Sequence, residues 1–146
     1  MKTLVLGLGN LLLGDEGVGV HAARALLEEG CPDGTTILDV GTAILDAIPA
    51  IEVADRIIVV DAVKADGEPG SVYKMPLSDF MRAPVIASMH GFDLSRVLAL
   101  AGRTEPPEVV VIGVEPAVID WSMELSPRVA ASFPLVLDAI RQEMGG

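Results

Sequence analysis

Short apolar runs alternate with amphipathic stretches along most of this chain. Thr3 to Leu8 is a β-branched and leucine run and predicts a first strand. A glycine-broken loop follows and carries the adjacent acids Asp15 and Glu16. From about Gly17 to Glu29 the period becomes helical, with Val18, Ala22, Ala25 and Leu26 on one face. His21, Arg24 and Glu28 fall on the opposite face, which reads as solvated. Asp15 is placed to cap this helix. Cys31-Pro32-Asp33-Gly34 is turn chemistry, Thr35 to Val40 a second strand, and a short helix starts near Ala43, disturbed at Pro49.

Arg56 to Asp61 is a continuous apolar run closed by an acid, the pattern of a strand buried on both faces. Ala65 to Gly70 is a turn, and Ser71 to Met75 reads as a short antiparallel edge strand. Pro76 to Ala87 shows no period and is expected to be irregular, so that His90 stands in a loop leading into a helix. That helix carries Leu94, Val97, Leu98 and Ala101 on its apolar face, and Pro106-Pro107 ends the connection. Glu108 to Val114 is another buried strand, with Glu115 at its end. Ser126-Pro127 pairs an N-cap with an N1 proline. Pro134 is expected to divide the C-terminal segment into a short helix and a last one reaching about Glu143. Alternating strands and helices predict an α/β fold: a three-layer sandwich with a mostly parallel, twisted sheet of about five strands and helices on both faces.

Composition sharpens this picture. A chain of 146 residues reads as a single domain, able to bury roughly two thirds of its unfolded surface. Apolar residues reach 51% but aromatics only 3%, so Val, Ile, Leu and Ala fill the core and stacking on bases is disfavoured. Ten basic against 21 acidic residues give a net charge of −11, which repels a phosphate backbone and argues against nucleic acid. Glycines, Asn10 and the acid pair interrupt the apolar start, which reads as a strand rather than a signal peptide. No run reaches the roughly 18 apolar residues of a membrane span. The single Cys31 excludes an internal disulfide and a multi-cysteine metal site. A cytoplasmic location is the resulting expectation.

The predicted carboxyl edge of the sheet collects the chemistry, as parallel α/β sheets do. Asp15 and Glu16 follow the first strand, Asp39 the second, Asp61 the third and Glu115 a later one, while His90 lies in a loop. Carboxylates brought together repel, and a proton or a cation must relieve them. A histidine beside two carboxylates is a donor set for a divalent ion such as zinc, nickel or manganese. Each residue also has a plain structural role open to it, as a cap, a turn former or a loop residue. Neither G-x-S-x-G nor H-E-x-x-H is present. Gly7-Leu8-Gly9 starts like a dinucleotide fingerprint, but Leu12 stands where its third glycine belongs.

Gly7-Leu8-Gly9-Asn10 followed by Gly14-Asp15-Glu16-Gly17-Val18-Gly19 resembles the opening signature of the [NiFe]-hydrogenase maturation proteases. The agreement continues in order through Asp39-Val40-Gly41-Thr42, Ile58 to Val63, Glu68-Pro69-Gly70, Ser88-Met89-His90, Gly113-Val114-Glu115-Pro116 and Glu124-Leu125-Ser126-Pro127. The resemblance implies an endopeptidase that removes the C-terminal extension of the hydrogenase large-subunit precursor after nickel insertion. It implies a metal site at Glu16, Asp61 and His90, and substrate contacts at Asp39, Gly41 and Thr42. The metal expected is nickel supplied by the substrate, with zinc or cadmium able to take its place in a crystal. The base that activates water is left between Glu16, Asp61 and the metal itself. The partner implied is the large-subunit precursor, and the enzyme is expected to act as a monomer. Two other readings stand beside this one: a non-catalytic metal-dependent chaperone sharing the same cleft, and a nucleotide-binding module.

Overall fold

The computed structural model describes residues 1–145, with backbone alone for 85–88. Its centre is a five-stranded sheet in the order β2-β1-β3-β5-β4. The strands are β1 (Thr3–Leu8), β2 (Thr35–Gly41), β3 (Arg56–Ala62), β4 (Val72–Pro76) and β5 (Glu108–Val114). The first three and β5 are parallel, and β4 pairs antiparallel with β5 at one edge. This is the α/β architecture expected.

Every residue of β1 and β3 is buried, which explains why their sequences show unbroken apolar runs rather than alternation. Residue parity then divides two cores. Val5, Ile58, Val60, Val110 and Ile112 face α1 (Val18–Glu29) and α5 (Pro127–Gly145). Leu4, Leu6, Leu8, Ile57, Val59 and Val111 face α2 (Ile48–Val53), α3 (Leu77–Met81) and α4 (Val85–Leu100). Asp61 continues the parity of Ile57 and Val59, so its side chain starts on the α4 side.

Close packing of α1 depends on Gly19. A Cβ there would lie 2.1 Å from the Val60 carbonyl oxygen and 2.4 Å from that of Leu8. The helix therefore sits directly on β1 and β3 and holds the loop before it down against the sheet. Ala22 and Ala23 are its fully buried alanines, while Ala25 is only half-buried.

Three expectations are corrected. Residues 76–87 are not irregular: α3 forms over Leu77–Met81, anchored by the fully buried Phe80, and α4 starts at Val85 directly after Pro84. A proline just ahead of a helix is tolerated because the first N–H groups have no helical acceptor. His90 consequently lies inside α4, not in a loop before it. Finally, α5 runs unbroken from Pro127 to Gly145 with Pro134 inside it. Pro134 is exposed, while Val129, Val136 and Ile140 on the other face are fully buried. Burial on both sides of the proline outweighs the missing hydrogen bond.

Candidate active site

Between β1 and β3 the chain reverses the direction in which it adds strands, since β2 lies on one side of β1 and β3 on the other. Such a switch point opens a crevice at the carboxyl ends of the two strands. The loop after β1 enters it through a single 3₁₀ turn, Gly14–Gly17, whose four residues are all buried. Glu16 sits in that turn. Asp61, the penultimate residue of β3, is fully buried, and His90 reaches the crevice from the second turn of α4.

One ligand-capable atom from each of Glu16, Asp61 and His90 lies within 4.8 Å of the others. Asp61 Oδ1 accepts the Ala62 N–H at 2.8 Å, and Asp61 Oδ2 stands 2.5 Å from His90 Nδ1. Burial and then the Asp61 charge push the Glu16 carboxyl up to about 7, against the pull of His90 and the Asn10 N–H. Burial also raises Asp61, and His90 only partly offsets it. For His90, burial disfavours the cation, but the Asp61 hydrogen bond and the two carboxylates outweigh it and hold the imidazole above its ordinary value. Two buried acids are thus crowded against one imidazole. The set is unsaturated in positive charge, and its oxygen and nitrogen donors suit a divalent cation.

Asp39, Gly41 and Thr42, the residues expected to contact substrate, lie together at the end of β2. A bulge in the β1–β2 ladder pairs Gly7 with Asp39 and Leu8 with Gly41, and Gly41 takes the left-handed backbone (φ +61°) that the bulge requires. Asp39, Gly41 and Thr42 then line a groove of about 200 Å³ with Gly9, Asn10 and Arg24, and Asp39 accepts a hydrogen bond from Arg24 Nε at 2.7 Å. The groove abuts the crevice, because a Cβ on Gly9 would lie 3.3 Å from Asp61 Oδ1. A larger cavity of about 480 Å³ continues from Thr42 past Ile44 and Leu45 to Asp93, Val97 and Leu100 of α4.

Other acids serve the frame. Asp15 makes no cap for α1, contrary to expectation. Its carboxylate accepts the N–H groups of Ala117, Val118 and Ser126 at 2.8–2.9 Å and the Ser126 hydroxyl at 2.7 Å. Burial works to raise this carboxyl, yet the four donors together hold it below the usual range. Ser126 therefore directs its hydroxyl to Asp15 rather than capping α5 with it. Glu115 Oε1 accepts the N–H groups of Ala65 and Gly67 and the Tyr73 hydroxyl, pinning the turn before β4. His21 is half-buried rather than fully solvated: its ring lies at the Met123 backbone, and its buried Nε2 has no partner among the described residues. Sequence carried one signal for Asp15, an acid directly beside the candidate ligand Glu16, but no local rule names donors more than 100 residues away.

No helix among the described residues is long and apolar enough to cross a membrane. Comparison with known proteins places both the sequence and the fold. The sequence model of the hydrogenase maturation protease family matches residues 20–143. The chain is 39% identical over 137 residues to the hydrogenase expression/formation protein HupD of Bradyrhizobium diazoefficiens, covering 88% of this chain and 70% of that protein. Its fold is similar to the hydrogenase maturating endopeptidase HybD from Escherichia coli, with a TM-score of 0.85, 30% identity, and 99% and 93% of the two chains covered. It is equally similar to the [NiFe] hydrogenase maturation protease HybD from Thermococcus kodakarensis, at a TM-score of 0.85, 29% identity and 99% of each chain. The family model and relatives that share both sequence and fold across nearly the whole chain agree in one assignment: this chain belongs to the hydrogenase maturation protease family.

Proposed function

We propose that this protein cleaves the C-terminal extension from a [NiFe]-hydrogenase large-subunit precursor, and that Glu16, Asp61 and His90 receive the nickel the precursor already carries. The observation behind this reading is the convergence of those three donors, from three separate elements, within 4.8 Å at the rim of the sheet. Nickel is part of the substrate here. Its presence supplies Lewis acidity at the scissile bond. The chain's own residues do the rest.

Asp61 is fully buried and tied to the Ala62 N–H and to His90, so it fixes the imidazole in place. Among the described residues Glu16 is the one of the two site carboxylates without a side-chain hydrogen bond, which leaves it free to turn toward the nickel or toward the attacking water. Asp39, Gly41 and Thr42 border the groove beside Gly9 and orient the peptide next to the crevice. Arg24, held against Asp39, keeps that acid in one position.

The test is direct. Purified protein is mixed with nickel-loaded and nickel-free precursor, and the products are weighed by mass spectrometry. Loss of the C-terminal peptide from the loaded sample alone is the expected result. An unchanged mass in both samples overturns the reading, and equal cleavage of both removes nickel from it. Single substitutions Glu16→Gln, Asp61→Asn and His90→Ala are each expected to slow the reaction at least 100-fold.

A further inference from the structure

Two loops beside the site carry an apolar surface that the peptidase chemistry does not use. Trp121, the only tryptophan of the chain, is 78% exposed, and Leu12, Val118, Ile119 and Met123 are each about half exposed. Apolar side chains grouped on neighbouring loops, unlike singly scattered ones, point to a binding surface, and tryptophan is enriched among interface anchors.

The surface is rigid rather than frayed. The Gly14 N–H donates to the Ser122 carbonyl at 2.7 Å, the Ser122 N–H to that of Leu12 at 3.0 Å, and the Asp15 N–H to that of Val118 at 3.0 Å. Beneath them the buried Asp15 carboxylate gathers its four donors from residues 117, 118 and 126. A surface ordered before binding loses little entropy on association. Because Asp15 precedes Glu16, the same clamp fixes the surface relative to the crevice.

We propose that this platform is where the folded body of the large-subunit precursor docks, while its C-terminal segment alone enters the groove. The proposal rests on the large-subunit precursor being the substrate. Two observations choose the occupant. The groove beside Gly9, about 200 Å³, accommodates only a few side chains and cannot by itself supply the contact area that recognises a folded protein. Asp120 and Glu124 flank the apolar residues, and no cation pairs with either among the described residues. Two copies meeting here would oppose acid to acid in a chain of net charge −11. The partner is therefore another protein, offering an apolar face with a neutral or basic border.

The single tryptophan makes the test specific. Protein labelled with 5-fluorotryptophan gives one fluorine resonance, from Trp121. We expect that resonance to shift or broaden when nickel-loaded precursor is added, and to stay in place with a synthetic peptide of the C-terminal segment alone. Trp121→Ala and Ile119→Ser should each raise KM for precursor about tenfold with kcat within twofold, at unchanged thermal midpoint. If precursor is processed while the resonance and KM stay put, the platform is not the docking surface and the substrate reading survives. If precursor is neither bound, by co-elution, nor processed, both fall together. A resonance that moves with protein concentration alone assigns the platform to self-association and overturns the proposal.

Discussion

Asp15 and Glu16 are chain neighbours of one chemical type, and the fold gives them opposite tasks. Asp15 is surrounded by donors and stays ionised; Glu16 is surrounded by burial and another carboxylate and holds its proton to about pH 7. Their substitutions should separate cleanly. Asp15→Asn turns an amide NH₂ toward N–H groups that need acceptors, so the variant is expected to lose about 2–4 kcal/mol of stability, read from the urea midpoint. Glu16→Gln removes a crowded charge and leaves no donor orphaned. At pH 7 its stability should match or exceed that of the wild type, while binding of nickel or zinc weakens at least tenfold by calorimetry. A Glu16→Gln protein that binds metal as tightly as the wild type would take Glu16 out of the site. At this scale the sequence is legible in part. Residue types and their places at strand ends can be read, and Glu16, Asp61 and His90 come from family resemblance. Asp15's donors lie 102–111 residues away, beyond any capping rule.

At the scale of elements, burial decides what can be read. β1 and β3 are covered on both faces, so their apolar runs are unambiguous and their bounds agree to within a residue. The segment from Pro76 to Ala87 carries too short a period for α3 to show, and what holds it is one buried anchor, Phe80. Pro134 reads by its local cost, whereas α5 answers to the whole apolar face it buries. That cost should still be recoverable. Pro134→Ala restores a helical N–H at an exposed position, worth up to about 3 kcal/mol, and gives back part of it through a freer unfolded chain. A net gain of about 1–2 kcal/mol in urea is expected, and a loss would mean the proline is packed rather than tolerated. Gly19 is the opposite case. A methyl placed 2.1 Å from the Val60 carbonyl must push α1 off the sheet. Gly19→Ala is expected to cost about 3 kcal/mol or more, and because α1 follows the Glu16 turn directly, folded survivors should also have lost activity.

For the whole molecule, the buried acids combine into one pH profile for the metal-free protein. Asp15 and Glu143 have carboxyls held low, Glu143 by Lys74 and Arg56 against its own burial. A lowered folded pKa contributes stability above the unfolded value and loses it as pH falls through the folded one, so both acids penalise strongly acid solution. Glu16 works in the other sense. Its folded value near 7 lies above the ordinary 4.5, so its contribution is complete below 4.5 and disappears as pH climbs to about 7. The −11 net charge adds self-repulsion in the same direction. Stability without metal is therefore expected to peak on the acid side of neutrality, at about pH 5, and to decline toward about pH 8. Thermal midpoints taken across roughly pH 3–9 check this. Glu16→Gln should flatten the decline between 4.5 and about 7 and leave the acid limb intact. Added divalent metal should flatten it too, since a cation held by Glu16, Asp61 and His90 binds best when those groups are deprotonated and so stabilises most where the bare site is weakest. If wild type and Glu16→Gln trace the same curve with and without metal, Glu16 is not the crowded acid the fold describes.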